Sequence, residues 1–198
     1  MSRRQRLPES QICRVRKPRP RTPKRVPDSD PSPSVDQRSR SAMTPKSHYI
    51  KLREIIAGGE LGEITRVNWI VTDWFRSQAY YDNGGWRATW KGEGGGVLLN
   101  QCPHNLDLLQ WICGMPVRMR AFCNLGKRHA IEVEDEVTAY FEYANGATGV
   151  FITATGEAPG VNRLEICGDR GRLLVENAKI TFFRTECSVR KFKDESPS

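Results

Sequence analysis

The sequence predicts an α+β fold: an open-faced, mostly antiparallel β-sheet with helices on one face, preceded by a disordered basic tail. Three observations carry that reading. Three glycines lead into an apolar, helix-periodic stretch that ends at Gly114. Short β-branched and aromatic segments follow it, separated by Gly and Asn turns. The first 46 residues are mainly Arg, Pro and Ser, with almost no apolar period.

That first segment holds eight of the twelve prolines. It cannot bury enough apolar surface to offset its ordering entropy, so it is read as disordered. Charge divides the chain at the same place. Residues 1–48 carry 13 of the 31 Lys and Arg and only 4 of the 23 Asp and Glu. The remainder is close to neutral, which argues against a folded nucleic-acid-binding domain, since such domains carry a basic face of their own. A basic arm could hold phosphate through salt-sensitive contacts. A solvated tail, read out of frame or fused by chance, explains the abrupt change in composition more simply.

Residues 47–57 have the pattern of an amphipathic helix that stops at Gly58-Gly59. Residues 63–74 (EITRVNWIVTDW) read as a strand. Residues 75–96 read as a long loop without period, dense in Trp, Tyr, Arg and Gly. Such loops tend to carry function. Trp86, Arg87 and Lys91 offer flat apolar surface beside cationic donors, suited to a polyol or carboxylate ligand; an ordinary packing loop has the same composition. Further strands are predicted near 117–124, 134–143, 147–156, 162–167, 172–176 and 179–186. Ala144-Asn145-Gly146 and Gly168-Asp169-Arg170-Gly171 supply hairpin turns. The sheet's second face is expected to bury itself against another subunit, giving a homo-oligomer.

The central stretch, 94–114, puts Leu99, Leu106, Leu109 and Ile112 at helical steps. Asn100, His104 and Asp107 share one face of it at spacings of four and three. Polar groups in an apolar helix must find partners or do chemistry. The same spacing also suits a hydrogen-bonded structural histidine. Pro103 cannot donate a helical hydrogen bond, so the helix either kinks there or starts there. In the second case Asn100 precedes the helix and its pairing with His104 is looser.

Six cysteines, at 13, 102, 113, 123, 167 and 187, show no paired metal-ligand spacing. They read as reduced thiols, with no metal site, in a cytoplasmic protein. The first residues have no apolar stretch of the kind a signal peptide carries, and no apolar run approaches the length needed to span a membrane.

Two segments together resemble a known family. They are GELGEITRVNWIVTDWFRSQAYYDNGGWRATWKGEGGGVLLNQCPHNLDLLQWICGMP and EVEDEVTAYFEYANGATGVFITATGEAPGVNRLEICGDRGRLLVE. They look like the C-terminal domain of the Gfo/Idh/MocA oxidoreductases, over about residues 49–184. The resemblance implies a substrate-binding and oligomerisation domain that works with a Rossmann domain holding NAD or NADP. It implies oxidation of a sugar or polyol hydroxyl. The family's motif places an Asp four residues before a His. His104 matches the His, while Asn100 stands at the Asp position. An amide orients a hydroxyl but does not take its proton near neutral pH, so the resemblance makes His104 the acid/base and Asn100 its orienting partner. Asp107 joins Trp86, Arg87 and Lys91 as an expected substrate contact. No G-x-G-x-x-G follows a strand in this sequence. The expected organisation is therefore a tail at 1–46, a C-terminal-type domain at 47–190 and a disordered tail at 191–198, truncated at both ends and inactive alone. A non-catalytic module that associates through its sheet is the alternative.

Overall fold

The structure is a computed structural model and describes residues 47–195. The tail predicted at 1–46 and the last three residues lie outside the described residues. In chain order the elements are α1 (Ser47–Ala57), β1 (Ile64–Val71), α2 (Gln78–Asp82), α3 (Val97–Asn100), α4 (Pro103–Cys113), β2 (Arg118–Leu125), β3 (Glu134–Glu142), β4 (Thr148–Ala154), β5 (Asn162–Gly168), β6 (Gly171–Glu176), β7 (Lys179–Arg184) and α5 (Val189–Glu195).

The seven strands form one sheet in the order β2-β3-β4-β1-β5-β6-β7. All neighbours are antiparallel except β1 and β4, which run parallel at the centre. A parallel pair needs a long crossover, and here that crossover carries α2, α3, α4, β2 and β3. The predicted architecture is thus the observed one, with one parallel junction.

Alternation along the strands separates two faces. Val67, Trp69 and Val71 of β1, Phe151 of β4 and Leu164 and Ile166 of β5 are buried on one face. They pack under Tyr49, Leu52 and Ile55 of α1 and Leu109 and Ile112 of α4. Trp69 and Phe151 meet edge to face at 6.2 Å, and the indole N–H donates to Asn162 Oδ1 at 3.0 Å. The opposite face is open. It presents Arg66, Arg163 and Arg172 around Glu165, with Phe122, Tyr140 and Phe183 exposed nearby in the sheet.

Two local readings are corrected and one open choice is decided. The segment 75–96 is not wholly loop, because Gln78–Asp82 forms the short helix α2. The central stretch is not one helix: α3 ends at Asn100 and α4 starts with Pro103 in its first turn. The Cys102 N–H reaches back five residues to the Val97 carbonyl at 2.9 Å, and that widened turn makes the break. At the far end α5 runs to Glu195 where a tail is predicted from 191. Its first turn is tied down by Asp169, whose carbonyl and carboxylate accept the N–H groups of Val189 and Arg190, and Arg190 also pairs with Glu63.

Phe151→Ala removes a fully buried ring from the central strand pair and should cost about 3–5 kcal/mol. A urea denaturation midpoint that hardly moves would show that the core does not lie between this sheet face and the two helices.

Candidate functional site

One end of the sheet collects the polar chemistry. Cys102, just before α4, bonds through Sγ to Thr153 Oγ1 at 2.9 Å, near the carboxyl end of β4. Cys113, which ends α4, lines a hollow with Ile64 and Ala147 at the amino ends of β1 and β4. Helix α4 therefore runs against the parallel pair, with its N-terminus at their carboxyl ends. His104 sits in that first turn.

Two consecutive carboxylates build this end. Glu134 Oε1 accepts the N–H groups of Gly96 (3.0 Å) and Leu98 (3.2 Å), and so caps α3. The backbone has to come very close: a Cβ on Gly96 would lie 1.9 Å from the Glu134 carbonyl oxygen. Asp135 is fully buried. Its carboxylate accepts the N–H groups of Lys127, Arg128 and His129 at 2.8–3.0 Å. It also faces His129 Nδ1 at 3.1 Å, while Nε2 of the same ring faces the Arg76 carbonyl at 2.9 Å. Each ring nitrogen thus has a hydrogen-bond partner. This chain of bonds hangs the loop after β1 on the start of β3. Tyr81 completes it by donating to Thr155 Oγ1 at 3.0 Å.

The expected site residues fall into two groups. Asn100, His104 and Asp107 are exposed and close in sequence at the α3–α4 junction. None of the three side chains makes a hydrogen bond or ion pair among the described residues. Trp86, Arg87 and Lys91 lie on the loop held by Asp135 and Glu132: the Trp90 N–H donates to Glu132 Oε2 at 3.2 Å. Arg87 stacks on Trp86 and Tyr80, whereas Lys91 is simply exposed. The structure brings both groups to the same end of the sheet and shows no direct contact between them.

Sequence reasoning missed Asp73, which follows β1 and is exposed. It lies near enough to Tyr49 and Cys102 to add to the upward push that burial gives both groups. It also missed Glu134 and Asp135; the available signal was the acid triplet Glu134-Asp135-Glu136 opening an apolar strand. Burial pushes the Cys102 thiol up to about 11 and the Cys113 thiol to about 12. Both stay protonated near neutral pH, so neither supplies a thiolate beside His104.

The family is decided by the match of residues 49–174 to the GFO/IDH/MocA C-terminal domain. The chain belongs to the GFO/IDH/MocA family. Among solved structures of similar fold is the WlbA dehydrogenase from Bordetella pertussis, in complex with NADH and UDP-GlcNAcA. It is 27% identical, with a TM-score of 0.65, over 71% of this chain and 44% of that one. The WlbA protein from Chromobacterium violaceum, with the same two ligands, is 29% identical, with a TM-score of 0.64, over 75% of this chain and 45% of that one. Levoglucosan dehydrogenase, in complex with NADH and levoglucosan, shares the fold at 19% identity and a TM-score of 0.58, over 73% of this chain and 42% of that one. The chain thus spans under half the length of these relatives. No curated protein matches at the sequence level. No helix among the described residues is long and apolar enough to cross a membrane.

The residues of this GFO/IDH/MocA domain do not fit a dinucleotide. A Rossmann-type dinucleotide site holds its pyrophosphate on free backbone N–H groups at a glycine-rich strand-to-helix turn. In the one glycine run, Gly94–Gly96, the N–H groups of Gly96 and of nearby Leu98 already belong to Glu134.

Asp135→Ala leaves three N–H groups and the His129 ring without their acceptor. It should cost at least about 1–3 kcal/mol, the usual penalty for a buried donor left unsatisfied. Hydrogen exchange should rise in 74–90 before it rises in β5–β7; equal loss everywhere would contradict the anchoring role.

Proposed function

We propose that this chain is the substrate-binding domain of an oxidoreductase acting on a CH–OH group of a sugar or polyol, with NAD or NADP held by a separate dinucleotide domain. One observation supports it most. An exposed imidazole, unpartnered among the described residues, stands in the first turn of α4 at the carboxyl ends of the two parallel strands. Ligands of open sheets gather at such ends.

In this reading His104 takes the hydroxyl proton from the substrate, since imidazole is the side chain that most often serves as general acid or base. Asn100 accepts or donates one hydrogen bond and orients that hydroxyl. Asp107, one turn further along α4, accepts from a neighbouring hydroxyl. Lys91, Trp86 and Arg87 contact the substrate from the loop side. No redox step is assigned to this chain's residues, and the chain alone should be inactive, without quenching NADH fluorescence on titration.

The open sheet face points to a homo-oligomer. Tyr140 and Phe122 lie on the β2–β3 side of that face and are 40% and 63% exposed. An isologous pairing across the face would remove both from water. A cytoplasmic location agrees with the free thiols of Cys102, Cys113, Cys167 and Cys187. A non-catalytic assembly module is the second reading, and the same open face supports it.

The test is a chimera in which residues 47–195 replace the C-terminal part of the Bordetella pertussis WlbA dehydrogenase. Sugar-dependent NADH formation should fall roughly a hundredfold in His104→Ala, as for loss of a general acid/base, with an unchanged melting temperature. Equal loss of folding and activity would favour a structural histidine. Sedimentation of the chain itself should give a dimer or larger species that Tyr140→Glu dissociates.

A further inference from the structure

The loop after β1 carries a continuous stack of alternating rings and cations. The Arg76 guanidinium lies 5.8 Å from the Trp74 ring and 5.0 Å from the Tyr80 ring. The Arg87 guanidinium lies 4.8 Å from the same Tyr80 ring and 5.3 Å from that of Trp86. The order is Trp74, Arg76, Tyr80, Arg87, Trp86. Each cation is held between two rings, which fixes its plane and reduces the entropy lost on binding a ligand.

The two guanidiniums differ in their partners from seven of the twelve arginines among the described residues. Arg66, Arg118, Arg128, Arg163, Arg172, Arg184 and Arg190 each pair with a carboxylate. Arg76 and Arg87 pair with none among the described residues. The Arg76 side chain donates from Nη1 to the neighbouring Phe75 carbonyl at 3.0 Å. Its Nε is buried with no acceptor, a costly state for a polar group. At the ends of the stack the indoles stay open, Trp74 at 37% and Trp86 at 52% exposed.

Two uncompensated guanidiniums in a rigid stack call for two anionic groups, and guanidinium geometry matches phosphate oxygens. The open indole planes call for a flat partner, since bases stack on aromatic side chains whatever their sequence. A neutral sugar supplies neither. We infer that the Trp74–Arg76–Tyr80–Arg87–Trp86 stack binds the nucleoside diphosphate part of a sugar nucleotide. Its sugar end would reach the α4 N-terminus at the same sheet end. This rests on the reading of His104 as the reacting end of the site. It adds an anchor remote from the chemistry, where binding energy orients the sugar.

The experiment is calorimetric titration of the full chain with uridine diphosphate, inorganic pyrophosphate and NADH, with tryptophan fluorescence as a second readout. Uridine diphosphate should bind and quench tryptophan emission. Pyrophosphate, which has no base to stack, should bind at least tenfold more weakly. Arg87→Ala should weaken uridine diphosphate about tenfold, and Arg87→Lys, which keeps charge but not planarity, should recover only part of that; circular dichroism checks that both fold. His104→Ala should leave this binding unchanged, which separates the anchor from the catalytic reading. The proposal is overturned if uridine diphosphate does not bind at millimolar concentration, or if Arg87→Ala binds it as wild type does. It is overturned equally if pyrophosphate matches uridine diphosphate or NADH binds more tightly than it. Sugar turnover in the chimera without any uridine diphosphate binding would sink the anchor alone.

Discussion

The start of β3 holds the functional end of this domain together. Glu134 and Asp135 are neighbours in sequence and project into different structures. Glu134 takes two N–H groups of the α3 turn and so fixes the segment that leads into His104. Asp135 gathers the 127–129 turn and, through His129, the carbonyl of Arg76. A buried carboxylate with its donors in place is stable; with one missing it is costly. The two halves of the site are therefore positioned by backbone-directed hydrogen bonds, not by contact with one another. That leaves the side chains of Asn100, His104 and Asp107 without a hydrogen bond or ion pair among the described residues.

The fold divides the labour of its two sheet faces. The covered face supplies stability through Trp69, Phe151 and the helices α1 and α4. The parallel junction of β1 with β4 gives the sheet one end where two strands finish side by side, and α4 brings its first turn there. The open face carries paired charges and exposed aromatics, and it lies away from the helix layer. Association through that face would leave the helix layer uncovered.

Much of this was legible in the residues. Alternation in EDEVTAYFEY and ATGVFITATG gave strands because one face of each is buried and one is not. Gly114 stops α4 with a φ of 83°, and the glycine and the Met115-Pro116 that follow announce it. The break between α3 and α4 was legible only as a choice, since Pro103 allows either a kink or a start; the five-residue turn at Cys102 decides it. Helix α2 was hidden because its five residues are too few to show a period. Helix α5 buries no residue, so no apolar pattern marks it, and it depends on Asp169 and Glu63 far back in the chain. The cation–ring stack was half visible, as Trp86 and Arg87, but Tyr80 and Arg76 join it only once α2 turns the loop back on itself. Asp135 looked like an ordinary strand residue because its donors lie in a loop with no pattern of its own.

The most direct test of the account is a two-dimensional NMR titration of the labelled chain with a sugar nucleotide. The account predicts shifts in the His104 imidazole, the Asn100 amide and the indole signals of Trp74 and Trp86, with Arg163, Arg172 and the rest of the open face unmoved. Shifts confined to the open face, with the α3–α4 junction silent, would contradict it.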